Sequence, residues 1–276
     1  MNLTTELICN FIPNLKKEYV NKIKSKNFIR EFIPKSQSNF PISNYCLERM
    51  HQFMENNNIY HTKYEVDLLG FPCVSYEGDI NNYWLSSKKY DTNYQPFYPT
   101  WMISSYLLAL ATADLGFTDF IDIGSGDGRL SYCAQLVGLR SISVEIDASL
   151  CSLQEEIKHN ANVIYELIEE NAACINFLKL NLFNPIFFIS AQPELGEMLA
   201  TALMKQILFL RNTCRLVGVN LMGTHKHRVY DRDHSVYGWG RFISDTKLSL
   251  LKVMTLPTTW TIDQDRDTPY LFTLVK

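Results

Sequence analysis

In a chain of 276 residues, one octapeptide concentrates the side chains and turns able to do chemistry: Asp122-Ile123-Gly124-Ser125-Gly126-Asp127-Gly128-Arg129. Glycines at 124 and 126 permit a tight turn and a close backbone approach to a ligand, which a Cβ would obstruct. A dinucleotide fingerprint needs a glycine three positions beyond Gly126; Arg129 stands there, so that template fails. The acids Asp122 and Asp127 bracket the turn. Beside a pyrophosphate they would repel; beside a ligand carrying a sulfonium and an ammonium they attract. Further on, Glu145 ends the run Ser141-Ile142-Ser143-Val144, a place from which a carboxylate can accept both hydroxyls of a ribose.

These residues need strands and helices to hold them. Pro99-Thr100 reads as the N-cap of a helix running through Met102 to Leu115 and stopped by Gly116. Strands are predicted over 120–123 and 141–144, with a helix from Gly128 to Val137 between them. Asp147 caps a long helix whose apolar positions Leu150, Leu153, Ile157, Ala161, Ile164 and Ile168 keep helical spacing. Ile175 to Leu178 reads as the third strand and Ile186 to Ile189 as the fourth. A helix from Glu194 to Leu210 leads to a fifth at Leu216 to Met222. The last two segments, 248–256 and 270–275, have no helix between them, which predicts a closing antiparallel hairpin. Alternation of this kind predicts an α/β fold with a doubly wound, mostly parallel sheet of seven strands over residues 91–276.

Residues 1–90 read as a smaller helical and hairpin region, an accessory unit suited to substrate recognition. Within the span Leu15 to Lys35, Lys16, Lys17, Lys22, Lys24, Lys26, Arg30 and Lys35 oppose only Glu18 and Glu31. Its apolar residues form two helically spaced groups, Leu15 to Ile23 and Phe28 to Ile33, out of register with each other. Such a basic face is either solvated surface or a site for an acidic partner such as RNA. Tyr64 to Leu68 and Cys73 to Tyr76, separated by Gly70-Phe71-Pro72, predict a hairpin. A hydrophobic share of 46% and a charged share of 20% are those of a globular chain. The net charge of −3 excludes a coat for nucleic acid through global charge, though not a local basic patch. Seven scattered cysteines without a Cys-x-x-Cys pair predict reduced thiols in the cytoplasm rather than a disulfide frame or zinc knuckle. No apolar run reaches the length of about 18 residues that a membrane helix needs, and residues 1–13 do not read as a signal peptide.

With these motifs, residues 94–276 resemble a class I, seven-stranded S-adenosylmethionine (AdoMet)-dependent methyltransferase. The resemblance implies that Asp122, Gly124, Ser125 and Gly126 hold the methionyl part of the cofactor, that Glu145 binds the ribose, and that Ile146 packs on the adenine. It also implies that Asn181-Leu182, at the end of the predicted third strand, meets the adenine, an Asn carbonyl replacing the usual acid. Ser190, after the fourth strand, completes the set. The segment Tyr94-Gln95-Pro96-Phe97-Tyr98-Pro99-Thr100 is similar to the Tyr-x-Pro-Thr segment of seven-stranded protein lysine methyltransferases. Phe97 stands at the Tyr position and Tyr98 one later; the likeness implies that Tyr98 and Thr100 line the cofactor cleft.

Ile189-Ser190-Ala191-Gln192-Pro193-Glu194 lacks the Asp/Asn-Pro-Pro-Tyr platform of enzymes that methylate base amino groups. The only Pro-Cys dipeptide, Pro72-Cys73, is far from any predicted strand end of the sheet, which disfavours a thiolate nucleophile. The resemblance around Phe97 to Thr100 implies a protein lysine amine as the acceptor, with RNA, a small molecule, or a non-catalytic AdoMet-binding scaffold as alternatives. No general base is identified. His225, His227, Arg228, Tyr230, Asp231, Asp233 and His234 form a polar loop after the fifth strand, able to shape an acceptor pocket. They satisfy no fixed metal-ligand spacing, and no metal is expected. Tyr83, Trp84, Tyr90, Tyr94, Phe97, Tyr98 and Trp101 either pack the two lobes together or cage a methylammonium.

Overall fold

All five residues of β4 (Asp119–Ile123) are buried, as a central strand covered on both faces requires. In this computed structural model, which describes residues 3–25, 27, 29–79, 98–224 and 235–276, β4 lies inside a seven-stranded sheet. Its parallel neighbours are β5 (Arg140–Glu145) and β7 (Pro185–Ile189). Beyond β5 lies β6 (Glu166–Glu169), and beyond β7 lies β8 (Gly218–Met222), both parallel. The strand β10 (Thr268–Val275) is antiparallel to β8 and to the edge strand β9 (Leu248–Leu256). The order β6-β5-β4-β7-β8-β10-β9 is the doubly wound sheet with an antiparallel hairpin that the sequence predicts.

One face of the sheet packs on α6 (Pro193–Leu210) and on the segment around Trp239 and α7 (Gly240–Asp245). The other face carries α3 (Met102–Asp114), α4 (Arg129–Leu136) and α5 (Ala148–Ala161). The N-terminal region continues that second layer without a break. It holds α1 (Leu3–Lys22), β1 (Ile29–Pro34), α2 (Asn44–Glu55) and the hairpin of β2 (Tyr60–Leu68) and β3 (Phe71–Gly78). The three strands form a small antiparallel sheet in the order β1-β3-β2. Tyr19 of α1 and Phe32 of β1 pack edge-on against the fully buried Trp101, so one apolar core runs from residue 8 into α5.

Three local expectations are corrected. The run from Phe28 to Ile33 is not helical over its described residues: it forms β1, all six residues of which are buried. A strand covered on both sides shows no alternation, so its apolar spacing is indistinguishable from one helical turn. The helix after Asp147 stops at Ala161, because Asn162 takes a left-handed conformation (φ 48°) that closes it. Ile164 is then exposed and Ile168 falls in β6, which is the third parallel strand; residues 175–178 form no strand, 175 and 176 linking two short 3-10 turns and 177–178 beginning the second. Finally, Trp101 rather than Thr100 is the N-cap of α3 and makes no side-chain cap bond; the N–H of Met102 is satisfied by the Glu31 carboxylate of β1. The predicted features at Tyr83 to Phe97 and at 225–234 lie outside the described residues.

Candidate functional site

Connections leave β4 toward β5 on one side and resume at β7 on the other, so the carboxyl end of β4 is the point where the strand order reverses. Crevices at such points bind ligands in open α/β sheets. The turn that follows β4 is fastened to β5: the amides of Gly124 and Ser125 donate to the Val144 carbonyl at 2.9 and 3.1 Å. Gly124 has φ 70°, and a Cβ there would meet no atom within 4 Å, so it borders open space. At Gly128 (φ 77°) a Cβ would lie 2.3 Å from the Tyr165 hydroxyl and 2.6 Å from Gln154 Oε1. One glycine therefore leaves room beside the turn, and the other lets the protein pack behind it. The Ser125 side chain is turned inward, 2.6 Å from the Ser143 hydroxyl and accepting from Gln154 Nε2 at 2.9 Å, and its carbonyl accepts from the Gly128 amide at 2.9 Å.

Negative charge gathers under this turn. Asp122 is fully buried, and neither carboxylate oxygen has a hydrogen-bond partner. Burial, followed by the nearby Glu145 and Asp127, pushes its carboxyl up to about 8, and Ser131 opposes this only weakly, without hydrogen-bonding geometry. Glu145 ends β5 with its carboxylate pinned by backbone amides: Gly126 at 2.8 Å on Oε2, and Ile146 and Asp147 at 2.8 and 3.0 Å on Oε1. Burial raises its carboxyl above the usual range, while those three amides pull it back. Oε1 is thereby fully used, and Oε2 retains one lone pair for a further donor.

Asp127 has a different job from the one its sequence position suggests. Its oxygens are taken by Arg129 Nε at 2.9 Å and Nη2 at 2.5 Å and by Asn57 Nδ2 at 2.8 Å, so its charge is neutralised within the protein. Arg129 continues outward, donating from Nη1 to Glu31 Oε1 and the Thr100 carbonyl, both at 2.8 Å, and from Nη2 to the Tyr60 hydroxyl at 2.9 Å. Local sequence offers no signal for this hub, whose partners Glu31, Asn57 and Tyr60 lie far back in the N-terminal region.

The remaining predicted residues separate into two groups. Ile146 is 48% exposed immediately after Glu145, and Ser190 is half-buried immediately after β7, so both stand at the carboxyl edge beside the turn. Tyr98 is exposed. Thr100 is buried, with its hydroxyl 2.8 Å from that of Tyr270, and so presents no side chain to a cleft. Asn181 and Leu182 are not at a carboxyl end at all. The Asn181 carbonyl accepts from Arg140, the first residue of β5, and the following amides of Phe183 and Asn184 donate to Asp119, the first residue of β4. That is the opposite edge of the sheet. The residues that follow the true third strand are Glu170 and Asn171; the Asn162 that ends α5 early was the signal for that shift.

A hollow of about 220 Å³ is lined by Met54, Tyr60, His61 and Tyr76 among others, none of them from the glycine turn. Among the described residues, no three His, Cys, Asp or Glu side chains gather as metal ligands, and no helix is long and apolar enough to cross a membrane.

No protein-family model and no curated protein matches the sequence. Solved structures do resemble the fold. Magnesium protoporphyrin IX methyltransferase from Synechocystis PCC 6803, with bound SAM, aligns over 63% of this chain and 78% of its own at 14% identity and a TM-score of 0.46. An O-methyltransferase from Bacillus cereus in complex with SAH aligns over 63% and 81% at 14% identity and a TM-score of 0.45. A ribosomal protein L11 methylase from Lactobacillus delbrueckii subsp. bulgaricus aligns over 63% and 79% at 13% identity and a TM-score of 0.41.

Proposed function

We propose that this chain binds AdoMet at the Gly124–Gly128 turn and transfers its methyl group to a protein lysine amine. The observation that carries the cofactor assignment is the carboxyl of Asp122, fully buried under the turn with both oxygens unpartnered. Arg129, the buried cation beside it, is already matched by Asp127 and Glu31. A ligand with a sulfonium and an ammonium would favour ionised Asp122 and pair with it, whereas a dinucleotide phosphate would add to the repulsion. The open space at Gly124 and the one lone pair left on Glu145 Oε2 fit the methionyl portion and a ribose hydroxyl of such a ligand.

When bound, AdoMet supplies a methyl group already activated by its sulfonium. The chain's own task is then to hold the acceptor in line and to exclude water. Positioning of this kind can lower a barrier by about 7–11 kcal/mol at best. An amine acceptor must also arrive neutral, and an apolar entrance would favour that form by desolvation.

Two observations support a protein acceptor over RNA. Ser190-Ala191-Gln192 after β7 offers no aromatic platform for a flipped base. The basic N-terminal residues are also largely spent on internal partners: Lys16 and Arg30 are buried against Asp267 and Asp263, while Lys22 and Lys35 pair with Glu18 and Glu65.

Calorimetry should show binding of AdoMet and of its demethylated product S-adenosylhomocysteine (SAH), and none of NAD. Micromolar binding of NAD with none of AdoMet would overturn the cofactor reading. With tritiated AdoMet and a cell extract, the label should survive nuclease and be released by protease; the reverse would move the acceptor to RNA.

A further inference from the structure

Glu31 stands where four elements meet, although it belongs to none of the cofactor motifs. It is completely buried in β1. One carboxylate oxygen accepts from the first amide of α3, at Met102. The other accepts from Arg129 Nη1 at 2.8 Å and from the Tyr60 hydroxyl of β2. Arg129 in turn holds Asp127, inside the glycine turn, through two of its nitrogens. The chain of contacts from the N-terminal sheet to the turn is thus continuous, charged and closed to water.

Resting on the AdoMet reading above, we propose that Glu31 is a positioning residue: through Arg129 it fixes the glycine turn in its binding-competent shape, so that docking of the N-terminal sheet and cofactor binding are one coupled equilibrium. The physical basis is the geometry of the guanidinium. Arg129 is 3% exposed and its fork is divided between Asp127 on the turn side and Glu31, Tyr60 and the Thr100 carbonyl on the other. If the Glu31 carboxylate is lost, the buried fork keeps one charged partner instead of two and must re-aim, and Asp127 moves with it. A buried ion pair broken on one side leaves an uncompensated charge, the costly case for such pairs. Because coupling is reciprocal, a ligand that orders the turn must also tighten the N-terminal sheet.

The test uses the full chain with SAH as the probe. Glu31→Gln keeps the shape of the side chain and removes its charge. The expected result is a Kd for SAH raised by about tenfold, within the range usual for coupled sites, measured well below the unfolding temperature of the variant. In the wild type, SAH should slow hydrogen exchange at the amides of residues 29–34 and 71–78 as well as at 124–128. In Glu31→Gln the protection should be confined to 124–128. A purely structural role would lower Tm without separating these two sets of amides. Should Glu31→Gln fail to fold, Tyr60→Phe carries the same test, since it deletes one hydroxyl shared by Glu31 and Arg129. Wild-type SAH affinity in a folded variant, or protection in the wild type that never reaches 29–34, would overturn this proposal and leave the cofactor reading standing. Failure of the wild type to bind either AdoMet or SAH would overturn both.

Discussion

At the scale of single residues, the most informative group is Asp122. An acid whose folded value is pushed up to about 8 keeps a proton in the native state that the unfolded chain has already lost above its ordinary range. Native stability is then highest at low pH on this account and falls as pH rises through that window. Asp122→Asn removes the titration, so the ligand-free variant should be more thermostable than the wild type at pH 8, with the gap narrowing as pH falls and closing only in the ordinary carboxyl range, below about 4. The same change should weaken AdoMet binding, because the charge that attracts the cation is gone. In the wild type, AdoMet affinity should climb from pH 6 toward 8 and then decline as the ligand's own ammonium deprotonates; in Asp122→Asn the climb should be absent. Thermal scans and calorimetry across that range check both halves. A destabilised ligand-free Asp122→Asn, or an unchanged AdoMet affinity, would mean that Asp122 is not an uncompensated charge waiting for a partner. Glu145 differs in kind: its carboxylate accepts three backbone amides, so its removal should cost stability as well as ribose binding.

At the scale of elements, the two outer glycines of the turn divide the labour of folding and binding. Gly128→Ala should destabilise the fold, since its Cβ would fall inside contact distance of both Tyr165 and Gln154, two side chains held behind the turn. Gly124→Ala meets no protein atom and pays only for its left-handed backbone, about 1–2 kcal/mol. It should nevertheless abolish most SAH binding, because the methyl occupies the space beside the turn. The check is a pair of measurements, Tm and Kd, on each variant; equal losses of both in the two would remove the distinction. The turn, β4, β5 and the closing hairpin were legible in the sequence because glycine spacing and strand-end acids are local signals. The third strand was not. Ile164 and, in the short β6, Ile168 continue by coincidence the apolar stripe of α5, and only the left-handed Asn162 breaks it. That misplacement carried the adenine contact to Asn181, at the wrong edge of the sheet. The Arg129 hub was equally illegible, because a charged residue's tertiary partners leave no trace in its neighbours.

At the scale of the whole molecule, the N-terminal region behaves as part of the core rather than as an appendage. Its sheet and helices bury Trp101, Tyr132 and the α3–α4 surface, and Lys16 and Arg30 clamp the 257–267 segment that leads into β10. Among the described basic residues of this segment, Lys17 and Lys24 are exposed and outside the ion pairs above, so any RNA binding should be weak and should vanish near physiological salt, as counterion release demands. A filter-binding titration across salt concentrations checks it, and tight binding lost on changing those two lysines to Gln would restore the RNA reading. The stronger consequence concerns truncation. A fragment of residues 98–276 keeps the glycine turn and Glu145, yet it strips the partners Glu31, Asn57 and Tyr60 from the Arg129–Asp127 pair and exposes one face of the shared core. Such a fragment should not unfold cooperatively and should bind SAH far more weakly than the full chain, if at all. Circular dichroism melts and calorimetry on the fragment decide the matter. A cooperative melt with wild-type affinity would show that residues 1–79 are a separable accessory lobe, resting on the methyltransferase-like core without shaping it.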